Sequence, residues 1–503
     1  MDKILTFDVG TTAIKTCVFD RNLQLCAQQN DEYDLHTQGG VVELPPEVYW
    51  QTMCAAVKKI GETVDLSGIC AVCLTTQGET LVPVDANGQP LHNAVVWLDD
   101  RAKTQAEQIA QTISGQQLYQ LTGVTDMNGF VPLAKLLWFR QQKPELYQQT
   151  HKFLLLEDYL LYRLTGQFVT EKSLLTSTAW YDIRNDKYMT ELLETLELSP
   201  DKLPQILECG QLAGTITEKA RAELGLADSV QVFAGAMDQI AAAIGGGGLR
   251  DGVVSATIGT AMVMTCAISS MDECTDGSLI VYRGAKAGQY VLLPLCNTAG
   301  AVFKWFKDQL CGREVAQCEA SGEDVYDRLC ALADQVAPGA EGVTMLPYFA
   351  GSVQPNVIPE AKGVFYGLHL GTDHKAMTRA VLESIGYMLR ENLEMLERFG
   401  KRPQQVHFFG GGSKNPIWNQ IIADITGVQL VLLEQSECGS LGAAMLGAVQ
   451  LGWFETLDQA QKCNTVRRVV TPNPENKAAY DAAYNRYLKL LEAMTPLMKG
   501  DAL

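Results

Sequence analysis

One pattern occurs twice in this chain. Residues 4–19 read ILTFDVGTTAIKTCVF, and residues 252–267 read GVVSATIGTAMVMTCA. Each is an apolar strand, a Gly-Thr turn with a small residue, and a second apolar strand. Such a run predicts two adjacent strands, with glycine where a positive φ is needed. Its recurrence in the second half predicts an internal duplication, which governs the fold more than any single element does. Length agrees, because 503 residues exceed the roughly 250–300 at which a single core stops growing. The glycine run Gly245–Gly248 is the strongest punctuation in the chain. The boundary is therefore expected near residue 247, giving domains 1–247 and 248–503.

Within each half, strands precede helices. PPEVYWQTMCAAVKKIGE from Pro45 carries apolar residues near helical spacing, and LSGICAVCLTTQ reads as a buried strand. Together they predict a mixed sheet with helices packed on it. VQVFAGAMDQIAAAIGGGG reads strand, turn, helix, and QVHFFGGGSKNPIWNQIIADITGVQLVLL reads strand, glycine turn, helix, strand. Helices are expected at 299–311 and 323–336, with a long amphipathic one in AMTRAVLESIGYMLRENLEMLERFG. GSLGAAMLGAVQLG is a helix of small residues, which permits close backbone packing.

Composition narrows the partners. The net charge of −18 opposes duplex DNA and anionic membranes. No run of about 18 apolar residues suggests a membrane span, and the first residues lack a signal peptide's segments. A cytoplasmic protein with no nucleic-acid or membrane partner is expected. The 14 cysteines are scattered, and Cys70 and Cys73, three apart on a strand, fall on opposite faces and read as core. No His/Cys cluster stands out as a zinc site.

Four glycine-hinged turns recur: Asp8–Lys15, Gly235–Asp238, Gly259-Thr260 and Gly410–Asn415. Turns at strand ends of open α/β sheets collect ligands. Thr11 and Thr12 offer hydroxyls and amides that suit a phosphate, although a plain hairpin uses the same residues. FGGGSKN, residues 409–415, is not a Walker A loop, but its glycines let an anion or flat ring approach a helix N-terminus. Asp8 and Asp238 each sit at the end of an apolar strand. Two such carboxylates serve a Mg²⁺–nucleotide and a substrate hydroxyl, or else Asp8 bonds its own turn and Asp238 caps a helix. TTQGET, residues 75–80, points Gln77 and Glu79 to one side, as a polyhydroxyl ligand requires. WLDDR, residues 97–101, is similar, with Arg101 able to pair with Asp99 or Asp100 instead.

These stretches resemble the FGGY family of carbohydrate kinases, which includes glycerol kinase, xylulokinase and gluconokinase. FDVGTTAIKTCVFD resembles the family's first phosphate loop. GFVPLAKLLWF (129–139) and GVFYGLHLGTDHKAMTRAVLESI (363–385) resemble its two signatures. FAGAMDQIAAAIGGG, SATIGTAMVM and FFGGGSKNPIWNQIIADITG match it too. The resemblance spans essentially the whole chain. It implies two actin-like domains of ribonuclease H-like α/β fold, with mixed sheets flanked by helices and a cleft between them. It implies transfer of the ATP γ-phosphate to a sugar or polyol hydroxyl, with Mg²⁺. By motif, Asp238 is the implied catalytic base and Asp8 the metal residue. Thr11, Thr12, Lys15, Gly259 and Thr260 fall at the phosphates, and Gly411, Gly412 and Asn415 at the adenosine. Gln77, Gly78, Glu79, Trp97, Asp99 and Gln239 fall where the family reads substrate.

Departures bear on the substrate. Xylulokinases usually carry Met-His where this chain has Gly78-Glu79, and Asn where it has Gln239. Glycerol kinases carry Arg-Glu and Asp-Gln there. Glu79 and Gln239 thus resemble glycerol kinase, Gly78 lacks its arginine, and AVVWLDDRA is closer to the sugar kinases. Ala376 replaces a polar residue of the second signature. The expected activity is xylulokinase-like or that of an open-chain polyol kinase, with glycerol kinase or gluconokinase as alternatives. A catalytically silent actin-like ATP-binding regulator is the rival from another class. Oligomeric state stays open, a homodimer being one option.

Overall fold

The structure, a computed structural model, describes residues 2–250, 252–274 and 276–500. The chain divides into two compact units. The first holds Met1–Leu249, Ala267–Leu292 and Glu437–Asn464, and the second Arg250–Cys266, Leu293–Ser436 and Thr465–Leu503.

The sheet of the first unit is built from β1 (Lys3–Val9), β2 (Ala13–Asp20), β3 (Leu25–Glu32), β4 (Ile69–Thr76), β5 (Leu212–Thr215) and β6 (Gln231–Met237). Their order across the sheet is β5-β6-β4-β1-β2-β3. β1, β4 and β6 run parallel, β5 and β2 are antiparallel to them, and β3 is antiparallel to β2. The period of two sorts the faces of β1. Leu5, Phe7 and Val9 enter a core with Tyr49, Trp50 and Met53 of the helix Pro46–Gly61. Ile4, Thr6 and Asp8 face the other way.

In the second unit, β7 (Val254–Ile258), β8 (Met262–Ile268), β9 (Gln405–Phe409), β10 (Gln429–Leu433) and β11 (Val466–Val470) lie in the order β8-β7-β9-β10-β11. β7, β9 and β10 are parallel, with antiparallel strands outside. Each unit therefore opens on a Gly-Thr hairpin and continues as parallel strands, which is the duplication read from the sequence.

The glycine-hinged turn predicted at Gly235–Asp238 is not a turn. β6 runs through to Met237 with a bulge between Phe233 and Ala236, and the helix α2 (Asp238–Gly245) starts at once. Gly235 is required there, since a Cβ would stand 1.4 Å from the Leu74 carbonyl oxygen. The small-residue helix α3 (Cys438–Gln450) packs on α2 and on β1 and β4. A Cβ on Gly442 would lie 1.9 Å from Ala241 O, and one on Gly245 would lie 2.1 Å from Cys438 O. The two helices approach at a distance that only glycine admits. No helix among the described residues is long and apolar enough to cross a membrane.

Candidate active site

The register of β1, β4 and β6 brings the first group of predicted residues to one edge. Asp8 pairs with Thr75, which pairs with Ala236, and Val9, Thr76 and Met237 stand in the next rank. Asp8 and Asp238 thus end strands two places apart, roughly 10 Å at the backbone. Gln77, Gly78 and Glu79 leave the end of the strand between them. All three segments occupy the carboxyl ends of parallel strands, where α/β sheets bind ligands.

This edge is acidic and the charges are felt. Burial pushes the Asp8 carboxyl up to about 6, with Lys15 pulling it back and Glu437 adding to the rise. Burial and the charge of Asp8 push Asp238 up to about 7. Burial raises Glu79 as well, against the pull of Lys135. Asp8 faces the first turn of α3, where a Cβ on Gly439 would stand 2.6 Å from its Oδ2. Lys15 sits opposite Asp8 on β2 and pairs with Glu437 just before α3. Burial opposes the Lys15 charge, but Glu437 and Asp8 outweigh it and keep the ammonium charged above its ordinary range.

The other residues of this first group belong to the same unit. Trp97 Nε1 donates to Thr11 Oγ1 at 2.9 Å, tying the first hairpin to the WLDDR segment. Thr12 is exposed at the tip. Gln77 donates its amide to Val9 O at 2.9 Å and its Nε2 to Tyr49 Oη at 3.4 Å, while its buried Oε1 has no partner. Asp99 is 0% exposed and fully engaged. Its oxygens accept the Val42 amide at 2.6 Å and Arg101 Nε and Nη2 at 2.7 and 2.6 Å. Burial pushes this carboxyl up, yet those hydrogen bonds hold it below its usual range. Arg101 reaches Glu43 as well, at 2.7 Å. The Gln239 amide donates to Asp238 Oδ1 at 2.6 Å, so the carboxylate caps its own helix turn while partly exposed.

The second group lines one cavity of about 840 Å³ within the second unit. Gly259 and Thr260 follow β7, and Gly411, Gly412 and Asn415 follow β9, all at the cavity wall. Gly410 holds φ at +84°, and a Cβ on Gly412 would meet Ile258 Cβ at 2.7 Å, so this loop must be glycine. Asn415 Oδ1 caps the helix Pro416–Thr426 through the Ile417 and Trp418 amides at 3.0 and 3.1 Å. Phe303, Tyr326 and Trp418 add flat apolar surface. Glycine amides beside an aromatic wall suit phosphate and a planar base together.

The profile of the family's N-terminal domain matches residues 3–245, and that of its C-terminal domain matches residues 254–451. The chain belongs to the FGGY family of carbohydrate kinases. Such a kinase moves phosphate from ATP to a sugar or polyol, and this chain is a phosphotransferase of that general kind. It is 27% identical over 489 residues to a xylulose kinase of Staphylococcus xylosus, covering 97% of this chain and 99% of that one. Among solved structures, a ligand-bound xylulose kinase and a gluconate kinase, both of Lactobacillus acidophilus, each align at a TM-score of 0.89 with 25% identity. Each covers 98% of both chains.

One residue not expected at the site from the sequence lies in the run GFVPLAKLLWF. Lys135 lies in the helix Pro132–Gln142 and is 0% exposed. Its ammonium donates to Val96 O at 2.9 Å, Glu79 O at 3.3 Å and Trp97 O at 3.4 Å. It thereby ties together the two candidate substrate segments. Glu79 needs the tie, because its φ of +57° is a left-handed conformation that non-glycine residues adopt at a cost of about 1 kcal/mol. Burial lowers Lys135 to about 7, against the charges of Glu79 and Asp99. The available signal was a lone lysine inside an otherwise apolar helical run. Lys135→Met is expected to raise KM for the acceptor about tenfold or more while KM for ATP stays put, measured by initial rates. An unchanged acceptor KM would remove Lys135 from the site.

Proposed function

We propose that this kinase phosphorylates a neutral open-chain sugar or polyol, of xylulose type or shorter, and not a sugar acid. The observation that carries the reading is the charge of the first site. Asp8, Glu79 and Asp238 are all acidic, while Lys15, Arg101 and Lys135 are each engaged with protein partners. An aldonate carboxylate would meet repulsion from these three acids. The unpaired, buried Gln77 Oε1 asks instead for a hydroxyl donor. At Gly78 an added Cβ would make only an ordinary contact, 3.4 Å from Ser177 Oγ, so the missing side chain is space. That space favours an acceptor longer than glycerol, whereas Glu79 and Gln239 keep a short polyol as the second reading.

In this mechanism the first unit supplies substrate binding and the base, and the second supplies the nucleotide site. Asp238 orients the acceptor hydroxyl and takes its proton as that oxygen bonds to the γ-phosphorus of ATP and ADP departs. Thr11, Thr12 and Lys15 are the phosphate residues of the first unit; in the second, Gly259 and Thr260 act on the phosphates and Gly411, Gly412 and Asn415 hold the adenosine end. Gln77, Glu79, Trp97 and Gln239 hold the acceptor, and Asp99 shapes their wall through Arg101. Asp8, a carboxylate that burial pushes up, would be the residue to hold a Mg²⁺ ion. Such an ion would supply neutralisation of the phosphate charge.

The test is ADP release with MgATP over matched pentuloses, polyols and aldonates. Neutral acceptors are expected to exceed their aldonates by about tenfold or more in kcat/KM, since each 1.4 kcal/mol is tenfold. An aldonate as the best acceptor would reject the neutral-substrate reading. ATP binding that no acceptor converts to ADP would favour the silent regulator.

A further inference from the structure

Away from both sites, the second unit gathers three side chains of metal-binding type. Cys311 follows the helix Gly300–Leu310 and is buried. Glu314 lies in the first turn of the next helix, Gly312–Ser321, and His374 opens the helix His374–Arg398. The imidazole stands between the other two, with Nε2 3.3 Å from Cys311 Sγ and Nδ1 3.4 Å from Glu314 Oε1. A sulfur, a ring nitrogen and a carboxylate oxygen lie within 4.8 Å of one another, and no other three His, Cys, Asp or Glu side chains do so among the described residues.

The setting is built. Phe306 stacks on the imidazole at 5.4 Å and 10°, which fixes the plane of the ring. The Nδ1 atom is buried yet lacks a well-formed hydrogen bond. In a tetrahedral zinc centre, bonds of about 2.0 Å to nitrogen or oxygen and about 2.3 Å to sulfur separate ligand atoms by roughly 3.3–3.5 Å. An imidazole gives one nitrogen to an ion, and at Nε2 the Cys311 sulfur already has that spacing. Glu314, which lies on the Nδ1 side and whose side chain is 16% exposed, completes the set by rotating towards the same ion. That opening also admits a water as fourth ligand.

We propose that Cys311, Glu314 and His374 form a binding site for one divalent ion of the zinc class. Thiolate and imidazole select a borderline transition ion over magnesium, so this site is chemically distinct from the one at Asp8. The ion joins the ends of three helices. One of them, Gly300–Leu310, presents Phe303, Lys304 and Asp308 to the nucleotide cavity on its other side. Occupancy thus braces a wall of that cavity from behind.

The test uses the full chain, freed of metal and titrated with Zn²⁺ against a chromophoric chelator, then with Co²⁺. One ion per chain with sub-micromolar affinity is expected, together with tetrahedral cobalt bands and thiolate-to-cobalt charge transfer. Cys311→Ser and His374→Gln are each expected to weaken binding at least about 100-fold, and Glu314→Gln about 10-fold or more. Circular dichroism checks that each variant folds. If the buried Cys311→Ser fails to fold, the two partly exposed positions and the cobalt spectrum of the unaltered chain decide. Binding that survives His374→Gln and Glu314→Gln, or cobalt bound without thiolate charge transfer, would overturn the site.

Discussion

Asp238→Asn is expected to lower kcat by about 10²–10⁴-fold, the range supplied by a positioned general base. The same change is expected to make the protein more stable at alkaline pH. Burial and the nearby Asp8 raise the Asp238 carboxyl from 3.8 to about 7. The folded state therefore holds this proton more tightly than the unfolded chain does. Its contribution is fully present below pH 3.8 and is lost as pH rises through about 7. At pH 8 the ionised carboxylate is a burden that asparagine lacks. Denaturant melts should then show the variant ahead by about 1–3 kcal/mol, discounted because the group is partly exposed. The advantage should shrink towards pH 4. In the unaltered enzyme, kcat/KM for the acceptor at subsaturating MgATP should fall about tenfold per unit below pH 7. Near-normal turnover by Asp238→Asn would remove the base, and a variant less stable at pH 8 would contradict the electrostatics.

The second large effect is expected where no side chain touches substrate. Gly442 lies where α3 crosses α2, and a Cβ there would meet Ala241 O at 1.9 Å. Gly442→Leu must separate the helices, because backbone cannot give way as a flexible side chain does. α2 begins at Asp238, and α3 begins beside Asp8, so separating the helices displaces both carboxylates. Overpacking of this kind costs about 1–3 kcal/mol or more, and a 1 Å misplacement near the chemistry costs about 100-fold in rate. We expect a lowered melting temperature and a kcat reduced at least 100-fold in the fraction that stays folded. Gly115→Ala, at a glycine with ordinary φ and open space around it, is the control, expected to leave kcat within about twofold. Full activity in Gly442→Leu would mean that the helix contact does not hold the site.

Much was legible because it is local. The two Gly-Thr hairpins, the strand before Asp238 and the glycine loop before Pro416 follow from apolar runs and the glycines that punctuate them, although the hairpin glycines Gly10 and Gly259 keep ordinary φ and only Gly410 takes a positive one. Their order along the chain also marked the family, and every second-half residue singled out at a glycine turn lines the same cavity. The bulge at Gly235 was hidden, since a glycine in a strand and a glycine in a turn look alike until the neighbouring Leu74 carbonyl is in place. Asp99 shows the same limit. Its spacing from Arg101 permitted either a free ligand or an ion pair, and the Val42 amide that completes the pair is far away in sequence.

The amino-acid sequence by itself determined the strands, the duplicated hairpin and the residue types at each strand end, because dihedral preference and apolar period act over a few neighbours. Only the tertiary structure decided which of those residues share an environment. It set Lys135 under Glu79, brought α3 from late in the chain against Asp8, and turned His374 between Cys311 and Glu314. Burial and through-space charge depend on what packs against a group, and that packing joins segments hundreds of residues apart that no local pattern connects.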